Sequence, residues 1–171
     1  LKIEGGEVKQ ADVKDFELVE GRIKAVITDQ GRMECETAVL TTGVWSKPLM
    51  KKLGLNIPLE SERGYHVVFK NPSQILRQPL MIAVGKFVAT PMEGGMRCAG
   101  IVEFGGLKAG PSNAPLEFLY RKVKENFPDL EYEGTEEWLG HRPAPADSLP
   151  LIGEINGTGV FAGFGHHHIG L

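Results

Sequence analysis

Apolar and polar residues alternate along the first forty positions in the manner of short β-strands. Ile23, Ala25 and Ile27 are spaced two apart, as the inward positions of a half-buried strand are. Asp29–Gly31 has the composition of a tight turn, and Met33 begins a returning strand. Together with a preceding apolar-polar stretch, this pattern predicts a small antiparallel meander.

The next segment changes from alternation to a continuous apolar run, Ala38–Leu40, which predicts a strand buried on both faces. Gly43 follows, and Ser46 is expected to cap a short helix over residues 47–53. A buried strand, a glycine turn and a helix start are typical of the edge of an α/β layer. Val160–Ala162 predicts a further buried strand.

Residues 58–110 are rich in alternating or β-branched positions separated by glycine turns. The predicted strands lie at 65–69, 80–84, 87–90 and 96–103. Residues 114–127 then have helical spacing, with Asn113 or Ser112 as the cap and Pro128 as the stop. Strands followed by a helix predict an antiparallel sheet covered on one face.

An apolar segment with three prolines and two glycines occupies residues 139–153, and we expect an irregular loop held rigid near a site. Arg142, within it, is the sharpest candidate for chemistry because a guanidinium can clamp a carboxylate with two hydrogen bonds. Tyr65 is the second candidate, since its hydroxyl can share a carboxylate with an arginine. A structural arginine and a core tyrosine are the alternative interpretations.

Composition narrows the class of protein. The chain of 171 residues is 42% apolar and 24% charged, which is typical of a soluble globular protein. Its net charge of -3 argues against a nucleic-acid surface. No apolar run is long enough for a transmembrane segment, and no signal peptide is recognisable at the start. Cys35 and Cys98 are expected to be reduced core thiols.

The histidine run His166–His168 resembles a metal cluster, but adjacent side chains diverge and no partner stands at ligand spacing, so no metal is expected. A glycine-rich turn that approaches a ligand is the better interpretation. No Gly-x-Gly-x-x-Gly follows a strand. The absence of an initiating Met and the apolar end at Leu171 suggest a piece of a larger fold.

Several segments together, in this order, resemble the D-amino-acid dehydrogenase, glycine oxidase and sarcosine oxidase superfamily of FAD enzymes. They are residues 38–46, 62–66, 138–143 with 147–153, and 163–171. The resemblance covers nearly the whole chain. The tryptophan–leucine–glycine–histidine–arginine–proline stretch, followed by the leucine–proline–leucine–isoleucine–glycine stretch, is fairly specific. The D-amino-acid dehydrogenase branch fits best, through Arg-Gly-Tyr at 63–65 and the glycine–histidine turn.

The resemblance implies oxidation of an amino acid, by preference a D-amino acid, to an imino acid by hydride transfer to FAD. Arg142 would hold the substrate carboxylate, with help from Tyr65. The residues implied near FAD are Val13, Gly43, Trp45, Gly165, His166, His167, His168 and Gly170. In the family, the dinucleotide motif lies upstream of Leu1 and the last helix lies after Leu171. The piece alone is therefore expected to be inactive and to lack FAD.

The expected fold class is α+β, with an antiparallel substrate-domain sheet and covering helix over residues 58–146. Residues 1–57 and 147–171 would form part of an α/β FAD-binding layer. A glycine- or sarcosine-type amine oxidase and a non-catalytic ligand-binding module are the alternative functions. The expected partner is a small amino acid or amine, and the electron acceptor is open. The expected location of the parent enzyme is the cytoplasm, with the periphery of the inner membrane as the alternative.

Overall fold

The computed structural model describes residues 4–167, which form two compact units. One unit comprises the described residues up to Leu59 together with those from Pro143 onward, and the other is Glu60–Arg142. In chain order the elements are β1 (Val13–Val19), β2 (Arg22–Thr28), β3 (Gly31–Glu34), β4 (Ala38–Leu40), α1 (Ser46–Lys52), β5 (Leu59–Lys70), β6 (Leu80–Ile82), β7 (Phe87–Met92), β8 (Gly95–Phe104), α2 (Asn113–Asn126), β9 (Gly134–Pro145), β10 (Leu151–Glu154) and β11 (Val160–Phe164).

The first unit begins with an antiparallel sheet of three strands in the order β1-β2-β3. Its second turn is closed by Thr28, whose hydroxyl donates to the Gly31 carbonyl (2.9 Å) and accepts from the Gln30 amide (3.1 Å). The alternation of Ile23 and Ala25 places both side chains in the core, where they are buried. The predicted meander is confirmed.

A second sheet of the same unit has the order β10-β11-β4. Strand β11 runs parallel to β4, with Phe161 opposite Val39, and β10 is antiparallel to β11. One face packs on a core that includes Leu40, Met50 and Val160. The prediction that β4 is buried on both faces is wrong for the described chain, because Val39 is 67% exposed and the described residues of this unit cover the other face only.

Helix α1 starts one residue earlier than expected. A 3-10 turn, Gly43–Trp45, leads directly into it, so Ser46 is the first helical residue and not the cap. The Ser46 hydroxyl is buried and lies 2.9 Å from the Thr42 hydroxyl. The predicted capping role of Ser46 is therefore wrong, because the continuing turn removes the extended backbone that a capping residue needs.

The second unit contains a five-stranded sheet in the order β6-β7-β8-β5-β9, and the four strands predicted within residues 58–110 are present. Helix α2 packs on one face against β8. The side chains of Tyr65, Val67 and Phe69 point toward this helix and form a core with Leu119. Because strand residues alternate between faces, Gly64 and the other even-numbered positions nearby point to the opposite face.

Strand β9 corrects the prediction of an irregular loop over residues 139–153. The strand continues to Pro145, and β10 begins at Leu151, so only the five residues between them are irregular. The physical reason is that β9 lies at the edge of its sheet, where Pro143 and Pro145 need not donate a ladder hydrogen bond. Neither described helix is long and apolar enough to cross a membrane.

Candidate functional site

Arg142 lies near the end of β9, on the face of its sheet opposite α2. Its guanidinium rests directly on the backbone of Gly64 in β5. A Cβ atom at Gly64 would stand 2.5 Å from Arg142 Nη1 and 2.7 Å from Cζ, distances that real side chains do not show. Glycine at this position therefore leaves room for the guanidinium on the strand, and a larger residue would displace it, which gives the glycine of Glu62–His66 a structural reason.

The anchor of this guanidinium is Glu62. Arg142 Nη1 donates to Glu62 Oε1 over 3.2 Å, and the Glu62 side chain is almost fully buried whereas that of Arg142 is 34% exposed. The buried carboxylate thus contacts the inner side of the guanidinium and leaves its outer side accessible to solvent. Because a guanidinium carries five N–H donors, the same group can bind a second carboxylate.

Tyr65 lies elsewhere. Its side chain is buried on the α2 side of β5, and its hydroxyl donates to Glu103 Oε2 over 2.7 Å. The hydroxyl also accepts from the Ser112 amide and from Arg63 Nη2, both at 3.0 Å. Since neighbouring strand residues point to opposite faces, the structure separates Tyr65 from the guanidinium above Gly64. The help that Tyr65 gives to a substrate stays a prediction without support from this geometry.

The network around Tyr65 contains two charged residues that the sequence reasoning missed. Arg63 is fully buried, its Nη1 lies 3.3 Å from Glu103 Oε2, and its Nη2 donates to the Gly110 carbonyl. The hydrogen bond from the Tyr65 hydroxyl is the main cause that holds the pKa of the Glu103 carboxyl below its ordinary value, with further contributions from Ser112 and Arg63. The sequence did contain an indication of this network. Arg63 is in step with the inward positions of the strand predicted at 65–69, and a buried charge needs a partner of opposite charge.

Two aromatic residues on the Arg142 face were also missed as site residues. The rings of His66 and Trp138 are stacked, with centroids 4.8 Å apart and planes 21° apart. Burial, and then the charge of Arg97, lower the pKa of His66. Both effects favour the neutral form of the His66 ring. The alternation of β5 and β9 could have placed both rings beside Arg142 once the pairing of these strands was known.

The residues expected near FAD belong mostly to two turns of the first unit. Strands β4 and β11 are parallel neighbours, so their carboxyl ends meet at one edge of the sheet. Gly43 follows β4 with φ +57°, and Gly165 follows β11 with φ +85°. Trp45 is more than half exposed in the first turn, and His167, with φ +55°, lies in the second.

This edge has room for a ligand beside the Gly43 turn. A Cβ atom at Gly43 would meet nothing within 4 Å, so the space beside that turn is open. Backbone amides and a histidine ring, as in residues 163–167, are groups that can donate hydrogen bonds to a ligand. Val13 is placed differently: it begins β1, opposite Thr28 in the other sheet of the unit.

The last two predicted cofactor positions, His168 and Gly170, lie outside the described residues. Within residues 4–167, no group of three His, Cys, Asp or Glu side chains is arranged to hold a metal ion.

Comparisons with known proteins agree with one another. The family model described as FAD dependent oxidoreductase, abbreviated DAO, matches residues 2–171. The D-amino-acid oxidase of Bradyrhizobium diazoefficiens is 36% identical over 98% of this chain and 41% of its own length. The D-amino acid dehydrogenase of Rhizobium rhizogenes is 28% identical over 92% of this chain and 38% of its own.

Solved structures give the same fold. That of glycine oxidase from Geobacillus kaustophilus has a TM-score of 0.78 at 22% identity, over 92% of this chain and 43% of the oxidase chain. The chain spans less than half the length of the relatives named here. A match of the family model along nearly all of its residues nevertheless decides the affiliation: the chain belongs to the DAO family of FAD-dependent oxidoreductases.

Proposed function

We propose that the full-length protein oxidises an amino acid with FAD as cofactor, and that Glu60–Arg142 is its substrate-binding unit. The observation that supports this most is the Arg142 guanidinium, which is seated on Gly64, held by the buried Glu62 and still accessible on its outer side. A fixed, exposed guanidinium is the group of choice for a carboxylate. The relatives named D-amino-acid oxidase, D-amino acid dehydrogenase and glycine oxidase have names that point to amino-acid substrates.

Arg142 binds and orients the substrate in this proposal. The ion pair with Glu62 fixes the guanidinium before the substrate arrives, so less side-chain entropy is lost on binding. A substrate held by its carboxylate can present Cα in one direction only, and such positioning supplies much of the rate enhancement in oxidations of this kind. The proposed product is an imino acid, formed as the substrate loses a hydride from Cα and a proton from its amine.

FAD, when bound, supplies the acceptor for the hydride. The residues proposed to hold it are those of the two glycine turns, Gly43 and Trp45 after β4 and Gly165–His167 after β11. Val13, His168 and Gly170 remain in the proposal on the strength of the family resemblance.

D-Amino acids are the proposed substrate class, and glycine is the second candidate. The first rests on the 36% identity to D-amino-acid oxidase, and the second on the 28% identity to the glycine oxidase of Pseudomonas putida. Bleaching of the flavin by a panel of D- and L-amino acids and glycine separates the two. Oxygen consumption, compared with reduction of a quinone, then identifies the electron acceptor.

The decisive test is substitution of Arg142 in the full-length, FAD-loaded protein. We expect Arg142→Ala to lower kcat/KM by an amount equivalent to roughly 2–5 kcal/mol, mainly through a higher KM, because a charge-assisted pair is lost. Arg142→Lys should restore only part of the activity, since a point charge does not reproduce the planar fork. Arg77→Ala, an exposed arginine in the loop after β5, is the matched control and should leave kcat/KM unchanged.

Unchanged kinetics in both Arg142 variants would contradict the proposal. Binding of a carboxylate that depends on Arg142, without bleaching of the flavin by any member of the panel, would instead favour a non-catalytic binding module.

A further inference from the structure

The face of the sheet that carries Arg142 also carries the indole of Trp138. Trp138, Gly140 and Arg142 alternate with inward residues of β9 and therefore share this face. A Cβ atom at Gly140 would stand 1.8 Å from Trp138 Cη2 and 2.3 Å from Cζ3. The six-membered ring of the indole thus occupies the place above Gly140 where a side chain would otherwise stand.

One face of the indole is supported by His66. Its ring is stacked on that of Trp138, and its Nδ1 is buried without a hydrogen-bond partner among residues 4–167. The imidazole therefore acts as a packing surface under the indole. Arg97 shares this face with Arg142, because Arg97 is opposite Val68 in the β5–β8 pairing and Val68 follows His66 by two positions. Lys70, at the next such position, is paired with Glu136.

Despite this support, the indole is not covered: Trp138 is 53% exposed. Residues two apart in a strand are separated by roughly 6.6 Å. Gly64, which carries the Arg142 guanidinium, is therefore one such step along β5 from His66, on which the indole is stacked. This step matches the size of an amino acid measured from its carboxylate to its side chain. A small molecule whose carboxylate reaches the guanidinium accordingly brings its next atoms over the indole.

We propose that the Trp138 indole is the surface on which the substrate's side chain packs, and that it selects amino acids with uncharged apolar or aromatic side chains. The inference rests on the proposed function, since it presupposes a carboxylate on Arg142. Stacking of an aromatic ring on the indole favours binding by roughly three- to tenfold beyond simple burial. Basic side chains are disfavoured because the charge of Arg97, which acts on His66 under the indole, repels them.

The test uses the full-length, FAD-loaded protein and two unreactive carboxylates, benzoate and acetate, whose dissociation constants are measured by calorimetry. We expect the wild type to bind benzoate more tightly than acetate. Trp138→Ala should reduce this preference by roughly three- to tenfold and change the Kd of acetate less than about twofold. Gly140→Ala, which displaces the indole without removing it, should reduce the preference in the same direction. Tyr132→Ala, a half-exposed aromatic residue away from this face, is the matched control and should leave the preference unchanged.

A kinetic measurement on the same variants gives an independent result. The ratio of kcat/KM for phenylalanine to that for alanine, in whichever enantiomeric series is turned over, should fall in Trp138→Ala, and lysine should be the poorest substrate of the wild type. If the binding of neither carboxylate depends on Arg142, the proposed function itself fails. If both depend on Arg142 but the preference for benzoate is the same in Trp138→Ala as in the wild type, the present inference is overturned and the proposed function stands.

Discussion

Glu62 Oε1 and Arg142 Nη1 are 3.2 Å apart although 80 residues separate them in the chain, and the carboxylate of this pair is buried whereas the guanidinium is partly exposed. The pair is therefore asymmetric: Glu62 is committed to its partner, and Arg142 retains the capacity to bind an anion from solution. An anion that binds there shares the cation with Glu62, whose negative charge opposes it.

The first prediction separates the two roles of Glu62, anchor and opposing charge. Glu62→Gln keeps an oxygen acceptor for Arg142 and removes the charge, so the KM for an amino-acid substrate should fall by roughly two- to fivefold, the order expected for one partly screened charge. Glu62→Ala removes the anchor as well, and the KM should rise. Steady-state kinetics of the full-length protein measure both. A change of KM in the same direction in the two variants would show that the pair does not work in this way.

The second prediction concerns the seat of the guanidinium. In Gly64→Ala the new methyl group occupies the place of Arg142 Nη1 and Cζ, so the guanidinium must move and kcat/KM should fall, with KM rising more than kcat falls. Gly134→Ala is the matched control, because a Cβ there meets nothing within 4 Å. Thermal denaturation of both variants checks that they are folded. Equal kcat/KM in Gly64→Ala and wild type would contradict the role of Gly64 in positioning the Arg142 guanidinium.

The third prediction decides between a structural and a substrate-binding Tyr65. Tyr65→Phe leaves Glu103, Ser112 and Arg63 without a common partner inside the protein, and we expect the free energy of unfolding to fall by about 1–3 kcal/mol. Tyr120→Phe, whose hydroxyl bonds exposed Thr135 and Glu137, should cost clearly less. When the two proteins are compared at the same folded fraction, the kcat/KM of Tyr65→Phe should match that of the wild type. A large fall in kcat/KM would show that Tyr65 takes part in substrate binding.

The fourth prediction is a pH dependence of stability. The pKa of Glu103 is lower in the folded protein than in the unfolded chain, chiefly through the Tyr65 hydroxyl. The stabilisation is therefore fully present above the ordinary carboxyl pKa of about 4.5 and is lost as the pH falls through the lowered folded value. Urea denaturation at pH 7 and at pH 3 should show a larger difference between wild type and Glu103→Gln at pH 7. An equal difference at both pH values would contradict the contribution of the ionised carboxylate.

Local patterns were sufficient for most strands and for both helices, because alternation and helical spacing are properties of neighbouring residues. Strand β9 was missed for the opposite reason. Its prolines forbid a central strand, and the fact that β9 lies at the sheet edge depends on pairing with β5, far away in the chain. The exposure of Val39 was likewise not foreseeable from an apolar run, since burial depends on what covers the face.

The sequence predicted those parts of the candidate site that depend on one residue and its neighbours in the chain. It did not predict the parts that depend on which strands pair. Arg142 was identified from its own segment and from the resemblance. Glu62 and Gly64, which hold and seat it, acquire their roles through the approach of β9 to β5, and the sequence contains no local indication of that register. The same holds for the stacking of His66 on Trp138.

The prolines near the end of β9 have a consequence for how the protein behaves in a crowded solution. An edge strand with free amide groups is a template on which a strand of another molecule can add, and such addition is a common beginning of aggregation. Pro143 has no amide hydrogen, so this stretch of the edge offers one donor fewer to an incoming strand, and Pro145 is itself buried. A proline that makes β9 hard to recognise in the sequence thus also lowers the tendency of this edge to pair with a strand of another molecule.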